Sequence, residues 1–198
     1  MASTGGFWTT TGLADPKRKF RFLVTMGSMP QGATWYAKSV TKPQVTVAAE
    51  KHQFLNHTFY YPGSVTWNEV SIMLVDPVSP DASANLSRIL FEAGYQPPRN
   101  ANDVTTISKS RAVAALQSVT IEQINSDGEP VETWRLNNAF ITDVNYGGDL
   151  KYGDDTLADL TVKMRYDWAD LFSAIGAEPG PLGTPAQTRF WHAGGSTA

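Results

Sequence analysis

The stretch FLNHTFYYPGSVTWNEVSIMLVD, residues 54–76, carries the densest apolar pattern in the chain. Its second half alternates. Val70, Ile72 and Leu74 fall on one side of an extended chain, with Ser71, Met73 and Val75 on the other. A period of two is the mark of a strand, and both of its faces could be covered, so Trp67 to Val75 is expected to be a core strand. The first half differs. Phe54, Phe59, Tyr60, Tyr61 and Trp67 crowd around a Pro62-Gly63 break. Phe59 and Tyr61 share a face with Tyr60 opposite, which is more aromatic surface than one thin sheet can bury. Aromatics at this density form a core, a ligand-stacking platform, or a surface that another protein covers.

Outward from that stretch, the same period recurs. Phe20, Phe22, Val24 and Met26 share a side in KRKFRFLVTM, and ATWYAKSV and PQVTVAA read as short strands separated by Met29-Pro30-Gln31-Gly32 and Lys42-Pro43. Downstream, Ser79 is expected to cap a helix with Pro80 at its first position and Asp81 near the positive end of the dipole. Leu86, Ile89, Leu90 and Ala93 then recur at helical spacing until Gly94 and QPP end it. Residues 96–110 read as a polar loop. The segment 112–147 reads as a long hairpin turning at Ser126-Asp127-Gly128. A last strand, TLADLTVKMRYDW, alternates Leu157, Leu160, Val162, Met164 and Tyr166 before ADLFSAIG.

The expected architecture is therefore mainly β: an antiparallel sandwich or barrel with one flanking helix over residues 17–175. Residues 1–16 form a Gly/Thr-rich arm carrying Phe7 and Trp8. Residues 176–198 form a Pro/Gly-rich arm carrying Phe190 and Trp191. No internal repeat is evident.

Composition closes off several function classes. A chain of 198 residues, 41% hydrophobic, can bury a self-sufficient core as one domain. A net charge of −3 gives no electrostatic case for nucleic-acid binding. With no cysteine, disulfides and thiolate metal sites are excluded. The N-terminus lacks the charged-then-apolar layout of a signal peptide, and no window approaches the ~20 apolar residues that span a bilayer. The chain is expected to be made in the cytosol, soluble, and without a membrane partner.

Site chemistry is sparse. His52, His57 and His192 are the only histidines. The first two are five apart, the wrong parity for one face of a single strand, so no zinc site is expected there. No G-x-S-x-G, H-E-x-x-H, P-loop or dinucleotide fingerprint occurs. Gly147-Gly148 precedes an acidic loop and is a poor phosphate cradle. No catalytic residue, metal or cofactor is expected.

The charges are unevenly distributed. Residues 1–60 carry Lys17, Arg18, Lys19, Arg21, Lys38, Lys42 and Lys51 against Asp15 and Glu50. Residues 119–175 hold eleven carboxylates against Arg135, Lys151, Lys163 and Arg165. One reading is two solvated faces. The other is a basic surface on one copy meeting an acidic surface on the next, with Lys17, Arg18 and Lys19 facing Asp149, Asp154 and Asp155. The surplus aromatics Phe54, Phe59, Tyr60 and Tyr61, with Phe7, Trp8, Phe190 and Trp191 on the arms, are then expected at subunit interfaces.

In this order, FLNHTFYYPGSVTWNEVSIMLVD, the helix SPDASANLSRILFEAGY and the hairpin from VTIEQINSDGEPVETWRLNNAF to KMRYDWA resemble the tail tube proteins of contractile-tailed bacteriophages. The resemblance covers residues 17–172, and secretion-system tubes and phage-tail-like bacteriocins share the fold. It implies a non-enzymatic virion protein, assembled in the host cytoplasm, whose hexameric rings stack into a hollow tube. The implied partners are further copies, a sheath, a tape measure protein, and baseplate and tail-terminator proteins. DNA would pass through the lumen without specific binding. Lumens in the family tend to be acidic, which makes Glu122, Glu132, Asp143 and Asp159 the lumen candidates. Two other classes stay open. In one, Tyr60, Tyr61 and Trp67 form the sugar-stacking platform of a carbohydrate-binding sandwich. In the other, an acidic pair including Asp149 serves a hydrolase.

Overall fold

The computed structural model describes residues 16–29, 36–100, 105–153 and 155–173, with the backbone of Thr188 and Arg189. The chain folds as two antiparallel sheets around one core, plus a separate hairpin. The first sheet holds β1 (Phe22–Met26), β6 (Val119–Ile124), β7 (Pro130–Asn137), β10 (Trp168–Ser173) and β11 (Thr188–Arg189), in that order across the sheet. The second runs β2 (Ala37–Val40), β5 (Val70–Val75), β9 (Asp159–Arg165) and β8 (Phe140–Asn145). The hairpin joins β3 (Val45–Phe54) and β4 (His57–Trp67).

Alternation explains the core. Val70, Ile72 and Leu74 of β5 lie beside Met164, Val162 and Leu160 of β9 in register, and all six are buried. From the first sheet, Val24, Met26, Val119, Ile121, Leu136 and Ala169 complete it. The opposite parity of β9, which includes Asp159, Lys163 and Arg165, therefore faces outward. Leu157 precedes β9 and is exposed, so it does not extend the inward row, and Phe20, before β1, is exposed as well.

Among the described residues two helices cover this core, where one was expected. In α1 (Ala82–Glu92), Leu86 and Ile89 are buried as their spacing implies. Its cap, however, is Asp81, whose carboxylate accepts the Ala84 amide at 2.8 Å; Ser79 and Pro80 lie in the preceding turn. The shorter side chain of Ser79 is two residues too early to reach the first free amides of this helix. The second helix, α2 (Lys109–Leu116), is capped by Ser108 and buries Ala112, Ala115 and Leu116. It occupies the end of the segment read as a polar loop and the start of the expected long hairpin. The segment ADLFS, expected only to trail the last strand, is β10 and pairs along β7.

The turn at residues 125–129 is where it was expected. The Asn125 side chain accepts the amides of Asp127 and Glu129 at 2.9 and 2.8 Å, and Gly128 takes a φ of 82°. The opening stretch is divided differently from its sequence reading. Pro62 and Gly63 do not break the chain; they lie inside β4, where its register with β3 shifts between Val47 and Ala49. A Cβ on Gly63 would sit 3.2 Å from the Ala48 carbonyl oxygen, so glycine permits this close approach. The reversal comes earlier, at Leu55-Asn56, and Asn68-Glu69 separates β4 from the core strand β5.

Candidate assembly surfaces

The β3–β4 hairpin is the longest paired element, with strands of 10 and 11 residues. At ~3.3 Å per residue it extends about 33 Å. None of its residues is fully buried. Direct pairs Glu50–Tyr61, His52–Phe59 and Phe54–His57 place those six side chains on one face. Lys51–Tyr60 and Gln53–Thr58 occupy the other. The turn thus brings His52 and His57 to the same face, contrary to the single-strand parity argument. His57 packs edge-on against Phe59, with ring centroids 4.6 Å apart. Among the described residues, no three His, Cys, Asp or Glu side chains cluster as a metal would need.

Phe54, Phe59, Tyr60 and Tyr61 are all exposed, and so is Leu55 at the tip, which sequence reasoning passed over. Trp67, at the base, is half-buried and tilted against Tyr166, 5.9 Å away. Burial raises the Tyr166 phenol pKa. Tyr60 and Tyr61 point to opposite faces, and Trp67 packs on the core, so the three do not converge into one stacking platform. Phe7, Trp8, Phe190 and Trp191 lie outside the described residues.

The charged candidates scatter. Glu132 sits on β7 with the parity of Trp134 and Leu136, which turns it inward at one end of the sandwich, 8% exposed. It accepts from Lys42 Nζ at 2.6 Å, from Trp134 Nε1 at 2.6 Å, and from Lys17 Nζ. Burial alone would raise its pKa; the hydrogen bonds from Lys17, Lys42 and Trp134 outweigh that and lower it to about 2. Glu132 is therefore not a carboxylate of an open lining, and its partner Lys17 is engaged within the chain. Glu122 points outward from the first sheet. Asp143 and Asp159 lie on the outer face of the second, paired with Lys163 at 2.9 Å and Lys38 at 2.6 Å. Hydrogen bonding to Asp143 raises the Lys163 pKa. The four lumen candidates thus do not share a face.

Arg18 and Lys19 are exposed ahead of β1. Asp149 and Asp155 are exposed in the loop between β8 and β9, and Asp154 lies outside the described residues. Lys109 holds Asp167 at 2.7 Å, and that hydrogen bond, with one from Asn138, lowers the Asp167 pKa.

One concavity escaped sequence reasoning. Between β1 and β2, at one flank of the sandwich, lies a cleft of about 970 Å³. Phe22, Val40, Ile121 and Trp134 line it, and Lys17, Lys19, Lys38 and Lys42 stand around it. It is built from residues far apart in the chain, which no linear pattern reveals. No described helix is long and apolar enough to cross a membrane.

No protein-family model matches this sequence, and no curated protein matches it. Solved structures do match in fold. A chain of the anti-feeding prophage baseplate, 6-fold symmetrised, superposes with a TM-score of 0.60 at 17% identity, over 81% of this chain and 98% of that one. A chain of the sheath/tube terminator of the extracellular contractile injection system PVC, in its extended state, gives 0.60 at 16% identity, over 81% and 99%. A chain of the PVC sheath–tube complex gives 0.59 at 16%, over 81% and 94%. The β-sandwich described here is thus a fold found in contractile injection particles, in agreement with the tail-tube fold expected from sequence.

Proposed function

We propose that this chain is a structural, non-enzymatic subunit of the tube of a contractile injection apparatus. Copies form hexameric rings, and the rings stack head-to-tail into a hollow conduit inside a sheath. In its finer form the assembly is a phage tail tube in the virion, built in the host cytoplasm, that lets DNA pass without binding it. A tape measure protein, a baseplate and a terminator are its further partners. The fold shared with the sheath–tube and terminator chains supports this reading.

The observation that carries it is the projecting hairpin. A two-stranded ribbon is marginal in water unless something packs on it, yet the hairpin exposes Phe54, Leu55, Phe59, Tyr60 and Tyr61 together. Fully covering one such side chain contributes about 1.5–3 kcal/mol. A neighbouring copy that covered only two of them would recover several kcal/mol at each contact. Electron microscopy of the purified protein is expected to show rings or tubes of uniform bore. A species that stays monomeric at millimolar concentration would overturn the proposal.

A further inference from the structure

The loop between β8 and β9, residues 146–158, sets apolar side chains among acidic ones: Asp149, Leu150, Tyr152, Asp155 and Leu157. Leu150, Tyr152 and Leu157 are 93%, 114% and 68% exposed. Three large apolar groups in solvent on one short loop mark a surface that is covered in use. Among the loop's described residues, Asp149 and Asp155 stand against Lys151, which leaves it acidic.

The cleft between β1 and β2 is its complement in both respects. Its floor is aliphatic and aromatic, and its rim carries four lysines against Glu122. Glu132 holds Lys17 and Lys42, and Asp159 holds Lys38. Four cations then stand against three carboxylates, and Lys19 makes no ion pair among the described residues, so the rim stays positive. The loop leaves β8, an edge of the second sheet, and returns at the start of β9, where the next residue, Asp159, reaches Lys38 on the cleft's rim.

From this placement we infer that the 146–158 loop of one copy seats in the β1–β2 cleft of the next. The contact rests on the tube reading and gives it a lateral joint. It is heterologous, because the loop and the cleft are different patches of the chain, and identical contacts of that kind close into a ring when the rotation allows. The apolar trio supplies burial, while the aspartates and lysines fix the register. The chain's own residues 1–15 are a poorer match for a lysine rim, since Asp15 is their single carboxylate.

Two variants of the full chain test this contact. One removes the loop's apolar groups (Leu150→Ser, Tyr152→Ser, Leu157→Ser). The other spoils the cleft's rim (Lys19→Glu, Phe20→Asp). Every substituted residue is exposed, so circular dichroism and melting of the monomer are expected to match the parent. In sedimentation velocity, each variant alone is expected to need at least ~100-fold more protein than the parent to assemble. Mixed in equal amounts, they are expected to give a dimer and stop there, because the loop of one still fits the cleft of the other. If the parent forms rings and the loop variant forms them equally well, the inference fails and the tube reading stands. If deleting residues 1–15 abolishes assembly while the loop variant assembles, that segment is the occupant and the inference also fails. A parent that never assembles overturns both.

Discussion

Replacing Glu132 by glutamine isolates the ionic part of a buried charge cluster that ties β7 to the link after β2 and to the residues before β1. The glutamine oxygen can still accept from Trp134 Nε1, now 2.6 Å from the carboxylate, so the loss is the charge facing Lys17 and Lys42. Its size follows from the carboxyl's pKa, lowered from 4.5 to about 2. At ~1.36 kcal/mol per pH unit, that displacement corresponds to about 3 kcal/mol. The two lysine side chains are 42% and 45% exposed, so water screens part of the attraction and about 2–3 kcal/mol is the expected range.

The sign fixes the pH window. A pKa lower in the folded chain than in the unfolded one stabilises the fold above pH 4.5, and that stability drains away as pH falls from about 4.5 toward 2. Urea unfolding of dilute, unassembled protein, followed by tryptophan fluorescence in steps from pH 7 to pH 2, is the assay. At pH 7 the variant is expected to be weaker by about 2–3 kcal/mol. Below pH 4.5 the two curves are expected to converge, meeting near pH 2. A constant gap across the range would mean that glutamine disturbs packing and that the charge contributes nothing; no gap at pH 7 would mean that the lysines satisfy themselves in water. Either result refutes the reasoning. Glu132→Ala is expected to cost about 1–3 kcal/mol more, because Trp134 loses its acceptor, and that extra cost does not fade in acid.

Four further substitutions probe other parts of the fold. Gly94→Ala is expected to destabilise by more than about 2 kcal/mol, because its φ of 109° disfavours a side chain and a Cβ would meet the Thr106 carbonyl oxygen at 2.6 Å; thermal melting reads this. Asp81→Ala removes the acceptor 2.8 Å from the Ala84 amide and is expected to cost ~1 kcal/mol by denaturant titration, whereas Ser79→Ala is expected to cost a few tenths at most. Leu55→Asn relieves a φ of 53° at the hairpin tip and is expected to leave the monomer equal or up to about 1 kcal/mol more stable. The same variant is expected to assemble less well, as seen by sedimentation, since it deletes an exposed leucine.

Where one side of an element is buried and the other wet, its place in the fold is written in its period. β5 and β9 show this: Val70, Ile72 and Leu74, and Leu160, Val162 and Met164, face the core as their alternation requires. The helix α1 was legible for the same reason. By contrast α2 is KSRAVAAL, where three charged or polar residues open a helix whose inward stripe is two alanines and a leucine. Alanine buries little area, so the apolar signal is weak, and only the Ser108 cap announces it. Glu132 was legible in principle. Strand parity puts it on the side of Trp134 and Leu136, and an inward carboxylate needs partners in the interior. Those partners, Lys17 and Lys42, come from 115 and 90 residues away, which no local pattern can supply.

The hairpin is the opposite case, because its sequence obeys no one-sided rule. Phe59 and Tyr61 face one way and Tyr60 the other, and Pro62 sits inside a strand. A core strand tolerates neither feature: one face would put aromatics in water, and the missing amide would break a ladder bond. A free ribbon tolerates both, since each strand keeps an open edge and neither face belongs to the chain's own core. The same freedom leaves it poorly supported: at its base Trp67 meets Tyr166, while among the described residues the tip beyond Glu50 is largely exposed and paired with its partner strand. An open-edged, aromatic ribbon of this length would pair indiscriminately if left bare. On the tube reading proposed above, its cover comes from neighbouring copies. Such a cover would have to be apolar on two sides, because the ribbon is apolar on two sides. A single flat partner could cover only one of its faces, whereas a groove between neighbouring copies could cover both.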